Sequence, residues 1–141
     1  MTIYRDGPPP GAPRTTGRLV VATLAAGLTM LALDLTWIGK VGRPFYAALG
    51  PLQRPDPYLP AVALFYLMYL GAVMTYAVRP ASTSWVAALR GGRLGFVCYA
   101  TYELTNWAVI AGWPGGLVPV DIAWGVVLTG ISAGVGRRAL G

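Results

Sequence analysis

Three of the chain's five acidic residues stand inside apolar stretches: Asp34 in DLTW, Glu103 in ELTNW and Asp121 in DIAWG. A carboxyl group in such company can bind a cation, hydrogen-bond a polar ligand or exchange a proton. Near a bilayer centre an ionisable group costs at least ~2.5–3.5 kcal/mol on insertion scales, so it faces a bundle interior rather than lipid. Helical spacing then selects its company. Tyr99, Glu103 and Asn106 fall at i, i+4 and i+7. Met30, Asp34 and Trp37 share a second face, and Asp121, Trp124 and Leu128 a third. Tyr66, Tyr69 and Tyr76 form one further stripe. Adding Tyr102 beside Glu103, the candidate ligand-binding set is Asp34, Trp37, Tyr66, Tyr69, Tyr99, Tyr102, Glu103, Asn106, Asp121 and Trp124.

Each acid also has a plain structural reading. Asp121 follows Pro119 at a helix start, where the dipole favours an anion by ~0.3–1 kcal/mol. Asp34 sits where the dipole disfavours one, but can pair with Lys40 or Arg43. Glu103 has neither a cap nor a nearby cation. Its structural reading is a protonated carboxyl bonded to Tyr or Asn. A Tyr stripe, likewise, packs as readily as it binds.

Other chemistry is excluded by what the chain lacks. It has no histidine, which removes histidine-ligated haem and zinc and histidine general-base catalysis. Its single cysteine, Cys98, reads as a buried small hydrophobe. Its one lysine, Lys40, lies at a segment end, away from any bundle interior. No P-loop, dinucleotide fingerprint, Gly-x-Ser-x-Gly elbow or H-E-x-x-H is present, so no catalytic residue, cofactor or metal site is assigned, and enzyme activity is left open. Three carboxylates without a soft ligand, if they held an ion at all, would suit Ca²⁺ or Mg²⁺.

The elements that position these residues are membrane spans. The chain has 141 residues, 55% hydrophobic and 11% charged, against about 25% charged in soluble domains. Residues 1–17 are rich in Pro and Gly and read as a disordered tail ahead of one membrane domain, residues 18–141. The apolar run after Arg18 resembles a signal peptide, but it lacks a convincing cleavage site and continues to Ile38. Four segments, about 19–38, 59–78, 94–113 and 117–136, approach the ~20 residues a helix needs to cross a bilayer. The fold class is therefore an all-α bundle of four transmembrane helices.

The loop after the first helix holds five prolines and three basic residues, and its PFYAALG portion suits a short interfacial helix. The last connection, PGG, implies a tight antiparallel hairpin. Gly91-x-x-x-Gly95 and Gly130-x-x-x-Gly134 permit close helix contact, within the chain or between copies. Similar wording around Asp34 and Glu103 suggests a faint parallel repeat of helix pairs.

Basic residues set the orientation. Arg5, Arg14, Arg18, Arg79, Arg90, Arg93, Arg137 and Arg138 fall on the side of the termini, against Lys40, Arg43 and Arg54 opposite. Both termini are thus expected in the cytoplasm, and the three acids in the outer half of the membrane. The basic residues are scattered at segment ends, which argues against nucleic acid as a partner.

The phrases LDLTWIGKVGRPFYAALG, LFYLMYLGAVMTYAVRPA, YATYELTNWAVIAGWP and VDIAWGVVLTG together resemble a bacterial family of predicted four-helix membrane proteins of unknown function. The family pattern has aspartate where this chain has Glu103, one methylene longer. The resemblance implies a multi-pass protein of the bacterial inner (cytoplasmic) membrane and points toward membrane lipid chemistry. Three functions are in view. The first is an acidic and aromatic intramembrane pocket for a lipid-like or small polar ligand or a cation, with membrane lipid as partner. The second is a small proton- or cation-coupled transporter working as a homo-oligomer. The third is an accessory subunit of a larger membrane complex.

Overall fold

The computed structural model describes residues 16–141, so most of the expected tail lies outside the described residues. Thr16 and Gly17, placed in that tail by composition, already belong to the first helix. Five α-helices order the chain: α1 (Thr16–Trp37), α2 (Arg43–Ala47), α3 (Leu59–Ala72), α4 (Ser84–Val109) and α5 (Leu117–Leu140). Wider π turns continue two of them, Ile38–Gly42 between α1 and α2 and Val73–Val78 after α3. Among the described residues there is no strand.

Three helical stretches are long and apolar enough to cross a membrane: Thr16–Ala47, Leu59–Val78 and Leu117–Leu140. The 26-residue α4 is about 39 Å long, but Arg90, Arg93 and Glu103 dilute its apolar content. Its start differs from the hydropathy expectation. The helix begins at Ser84, where the Thr83 side chain accepts a hydrogen bond from the Val86 N–H at 3.2 Å. Arg90 and Arg93, both exposed, ride on its first turns rather than in a loop. It also stops early, at Val109, because Gly112 turns the chain back with a φ of +84° and Pro114 follows.

α5 is the central element. It packs most extensively against α4, then against α1, and touches the π turn of α3. Glycine explains the α4–α5 contact. A methyl at Gly91 would stand 2.5 Å from the Thr129 carbonyl oxygen and 2.7 Å from the Ala133 methyl. One at Gly95 would strike the Gly125 backbone, and one at Gly125 the Tyr99 ring. The small-residue spacings thus serve contact within the chain. α1 joins the bundle through a stripe of Ala22, Ala26, Met30, Asp34 and Trp37, all buried at three- to four-residue intervals. Its Thr23, Thr29 and Thr36 hydroxyls bond the carbonyls four residues back, so they stay satisfied on an apolar surface.

α3 lies more loosely. Its first turns are exposed, and its core residues concentrate in the π turn, at Val73, Met74, Ala77 and Val78. That turn corrects the tyrosine stripe. An inserted residue rotates everything after it by about a quarter turn, ~100°. Tyr66 and Tyr69 face inward, whereas Tyr76 beyond the start of the turn is 66% exposed.

At the end of the bundle that carries the C-terminus, Arg137 is buried. Its Nε donates to the Ala81 carbonyl at 2.7 Å, and its two terminal nitrogens to Gly141 at 2.8 Å and Ser82 at 3.2 Å. This side chain ties the end of α5 to the α3–α4 connection.

Candidate functional site

The three carboxyls come from three helices and are all buried, Glu103 completely. Asp34 is held from two sides. The Tyr66 hydroxyl donates to its Oδ2 at 2.8 Å and the Trp124 indole N–H to its Oδ1 at 3.4 Å. Lys40 and Arg43, the cations the sequence offered as partners, are exposed and do not contact it. Glu103 receives the Trp113 indole N–H on Oε2 at 2.9 Å. Asp121 faces Glu103, feels the charge of Asp34, and has the Trp37 indole N–H turned toward it.

Indole N–H groups thus reach two of the carboxyls, Trp124 to Asp34 and Trp113 to Glu103, while Trp37 stands near Asp121 without a hydrogen bond. Trp37 and Trp124 stack almost parallel, with centroids 4.7 Å apart. The set is not closed. Glu103 Oε1 and Trp37 Nε1 are both buried without a hydrogen bond. Glu103 thus stands beside Asp121 with one carboxyl oxygen left without a donor.

Tyr46 covers the cluster. It stands on α2, half-buried, within electrostatic range of Asp121, Tyr102, Glu103 and Asp34. Gly42 makes this possible, since a methyl there would hit the Tyr46 ring at 2.7 Å. Deeper in the bundle, Tyr69 exchanges a hydrogen bond with Thr129 at 2.7 Å and lies edge-on to Tyr99, which is itself in range of Asp34 and Asp121. Tyr102 is at the rim, 52% exposed, with its ring edge against Trp113 and its hydroxyl beside Asn106.

Of the expected residues, Asp34, Trp37, Tyr66, Glu103, Asp121 and Trp124 are drawn into one network, with Tyr69 and Tyr99 below it and Tyr102 and Asn106 at its edge. Sequence reasoning missed Tyr46 and Trp113. Trp113 looked like the end of a helix, but the turn at Gly112 sends its ring back to Glu103. The signal was there in Gly112 and Pro114 flanking it. For Tyr46, the short helix after the first span was legible, while the direction of its tyrosine was not.

Among the described residues, no group of three or more His, Cys, Asp or Glu is placed to hold a metal ion. The arrangement suits a ligand that brings positive charge or hydrogen-bond donors, and aromatic faces add affinity for an organic cation.

No curated protein and no solved structure matches the chain. Residues 19–137 match a family described as a predicted membrane protein, DUF2177. With nearly all of the described bundle inside that match, the chain belongs to the DUF2177 family of predicted membrane proteins.

Proposed function

We propose that this chain is a four-helix protein of the bacterial cytoplasmic membrane, with both termini in the cytoplasm, that binds the cationic head of an amphipathic, lipid-like ligand in the outer half of the bilayer. One observation carries the reading. Of three buried carboxyls from α1, α4 and α5, Asp34 and Glu103 accept hydrogen bonds from neutral indole and phenol donors, and among the described residues none of the three pairs with a cationic side chain. A buried site whose charged groups are all of one sign is completed by protons or by a cation from outside. The stacked indoles and Tyr46 then supply faces for an organic ammonium group, whereas an ion cage of carboxylates is not formed.

The facing Glu103 and Asp121 favour a second reading, exchange of protons for the bound cation, which is the chemistry a coupled transporter needs.

The test is titration of the full chain, in lipid nanodiscs, with a long-chain alkylammonium and with the neutral alcohol of equal length. The ammonium is expected to bind and the alcohol to bind at least about tenfold more weakly, a difference of ~1.4 kcal/mol. Glu103→Gln should abolish that preference. Equal binding of the two probes, or an unaltered preference in the variant, would refute the reading.

A further inference from the structure

A separate feature lies at the opposite end of the bundle, where the chain ends. α1 and α3 approach closely where Leu70 packs on Gly27, at 3.0 Å from where a methyl would stand. Beside that contact lies an open groove of about 390 Å³, walled by Leu19 and Thr23 of α1 and by Leu67, Leu70 and Gly71 of α3, and lined by Arg79 as well. Gly71 leaves open space, with nothing within 4 Å of where a side chain would begin. The Thr23 hydroxyl is spent on the Leu19 carbonyl at 2.8 Å, so the α1 wall offers an apolar surface. From Leu67 to Arg79, along the end of α3 and the π turn after it, the lining spans at most about 18 Å, comparable with the ~15 Å of hydrocarbon in one leaflet.

Charge at this end is of one sign. Arg18, Arg79, Arg90, Arg93, Arg137 and Arg138 all lie there, while every described acid, Asp34, Asp56, Glu103 and Asp121, lies at the α2 end. An apolar slot of leaflet depth whose lining includes an arginine, beneath a face with no described acid, matches the shape and charge of an anionic phospholipid. We propose that the α1–α3 groove is a binding site for one anionic phospholipid, with an acyl chain in the slot and its phosphate at Arg79. Arg79 keeps its contacts within the protein and adds the phosphate to them, as a fork of several donors can. The site is independent of the acid cluster and stands or falls without it.

The experiment is native mass spectrometry of the full chain released from detergent containing equal phosphatidylglycerol and phosphatidylcholine. A single phosphatidylglycerol is expected to be retained about fivefold over phosphatidylcholine, the preference one arginine at a membrane surface provides. Arg79→Gln should bring the two lipids to parity, and Arg79→Lys, a single ammonium that cannot hold its protein contacts and a phosphate together, should fall between the two. Gly71→Phe, which fills open space, should remove retention of both. A phosphatidylglycerol with a photoreactive acyl chain, which needs no variant, should label residues 67–75 above all others. Equal retention of both lipids by the unaltered chain, or labelling spread evenly over the lipid-facing helices, overturns the proposal.

Discussion

Arg137 and Glu103 are both buried charged side chains, one toward each end of the bundle, and their surroundings differ in kind. Arg137 donates to three backbone carbonyls, at Ala81, Ser82 and Gly141. Those acceptors are fixed by the chain, so the guanidinium's donors are met by geometry that folding itself supplies. Glu103 receives one indole N–H and turns its other oxygen toward a second acid. The Arg137 donors are thus met by acceptors of the fold, whereas the Glu103 carboxyl is left one hydrogen bond short. The two ends of one helical bundle differ in how completely their buried polar groups are paired.

Removing Arg137 tests that contrast most severely. Arg137→Met should cost about 3 kcal/mol or more, because it strips donors from several carbonyls at once. Denaturant unfolding in mixed micelles measures it, and a loss below about 1 kcal/mol would erase the distinction. Trp113→Phe should come next, at about 1–2 kcal/mol, since Glu103 Oε2 loses its donor while the ring remains. Glu103→Gln should be the opposite of Arg137→Met. An amide can donate to Asp121, so stability should stay within about 1 kcal/mol of the parent, or rise, while selective cation binding disappears. If instead Glu103→Gln unfolds the protein as Arg137→Met does, both charges are structural. The smallest effect belongs to Lys40→Ala. Lys40 is exposed and outside the network, so a change below about 0.5 kcal/mol is expected.

The helical period carried most of what the sequence could say about this contrast. It put Asp34 on the stripe with Met30 and Trp37, and Glu103 and Asp121 on inward faces, because side-chain direction inside a regular helix follows from spacing alone. What it could not carry depends on where the helix stops being regular. Trp113 reaches Glu103 only because α4 ends at Val109, and Tyr76 leaves its stripe only because α3 widens after Ala72. Tyr46 depends on a π turn, Ile38–Gly42, that carries the helix on into α2. In the sequence Arg137 counts only among the basic residues on the side of the termini, since burial against the α3–α4 connection is long-range information. The start of α4 at Ser84 was written in Thr83, a good N-cap, but hydropathy outweighed it.

The separation in sequence between each acid and its donor has a bearing on how the chain enters a bilayer. Glu103 and Trp113 are ten residues apart on one hairpin, so they leave the ribosome together and the indole travels with the carboxyl it serves. Asp34 has no such companion. Its donors lie 32 and 90 residues downstream, at Tyr66 and Trp124. The Asp34 pairs can therefore form only after α3 and then α5 have been made. The order in which these helices are made is thus written into the network, and α5 is the one that supplies the second donor.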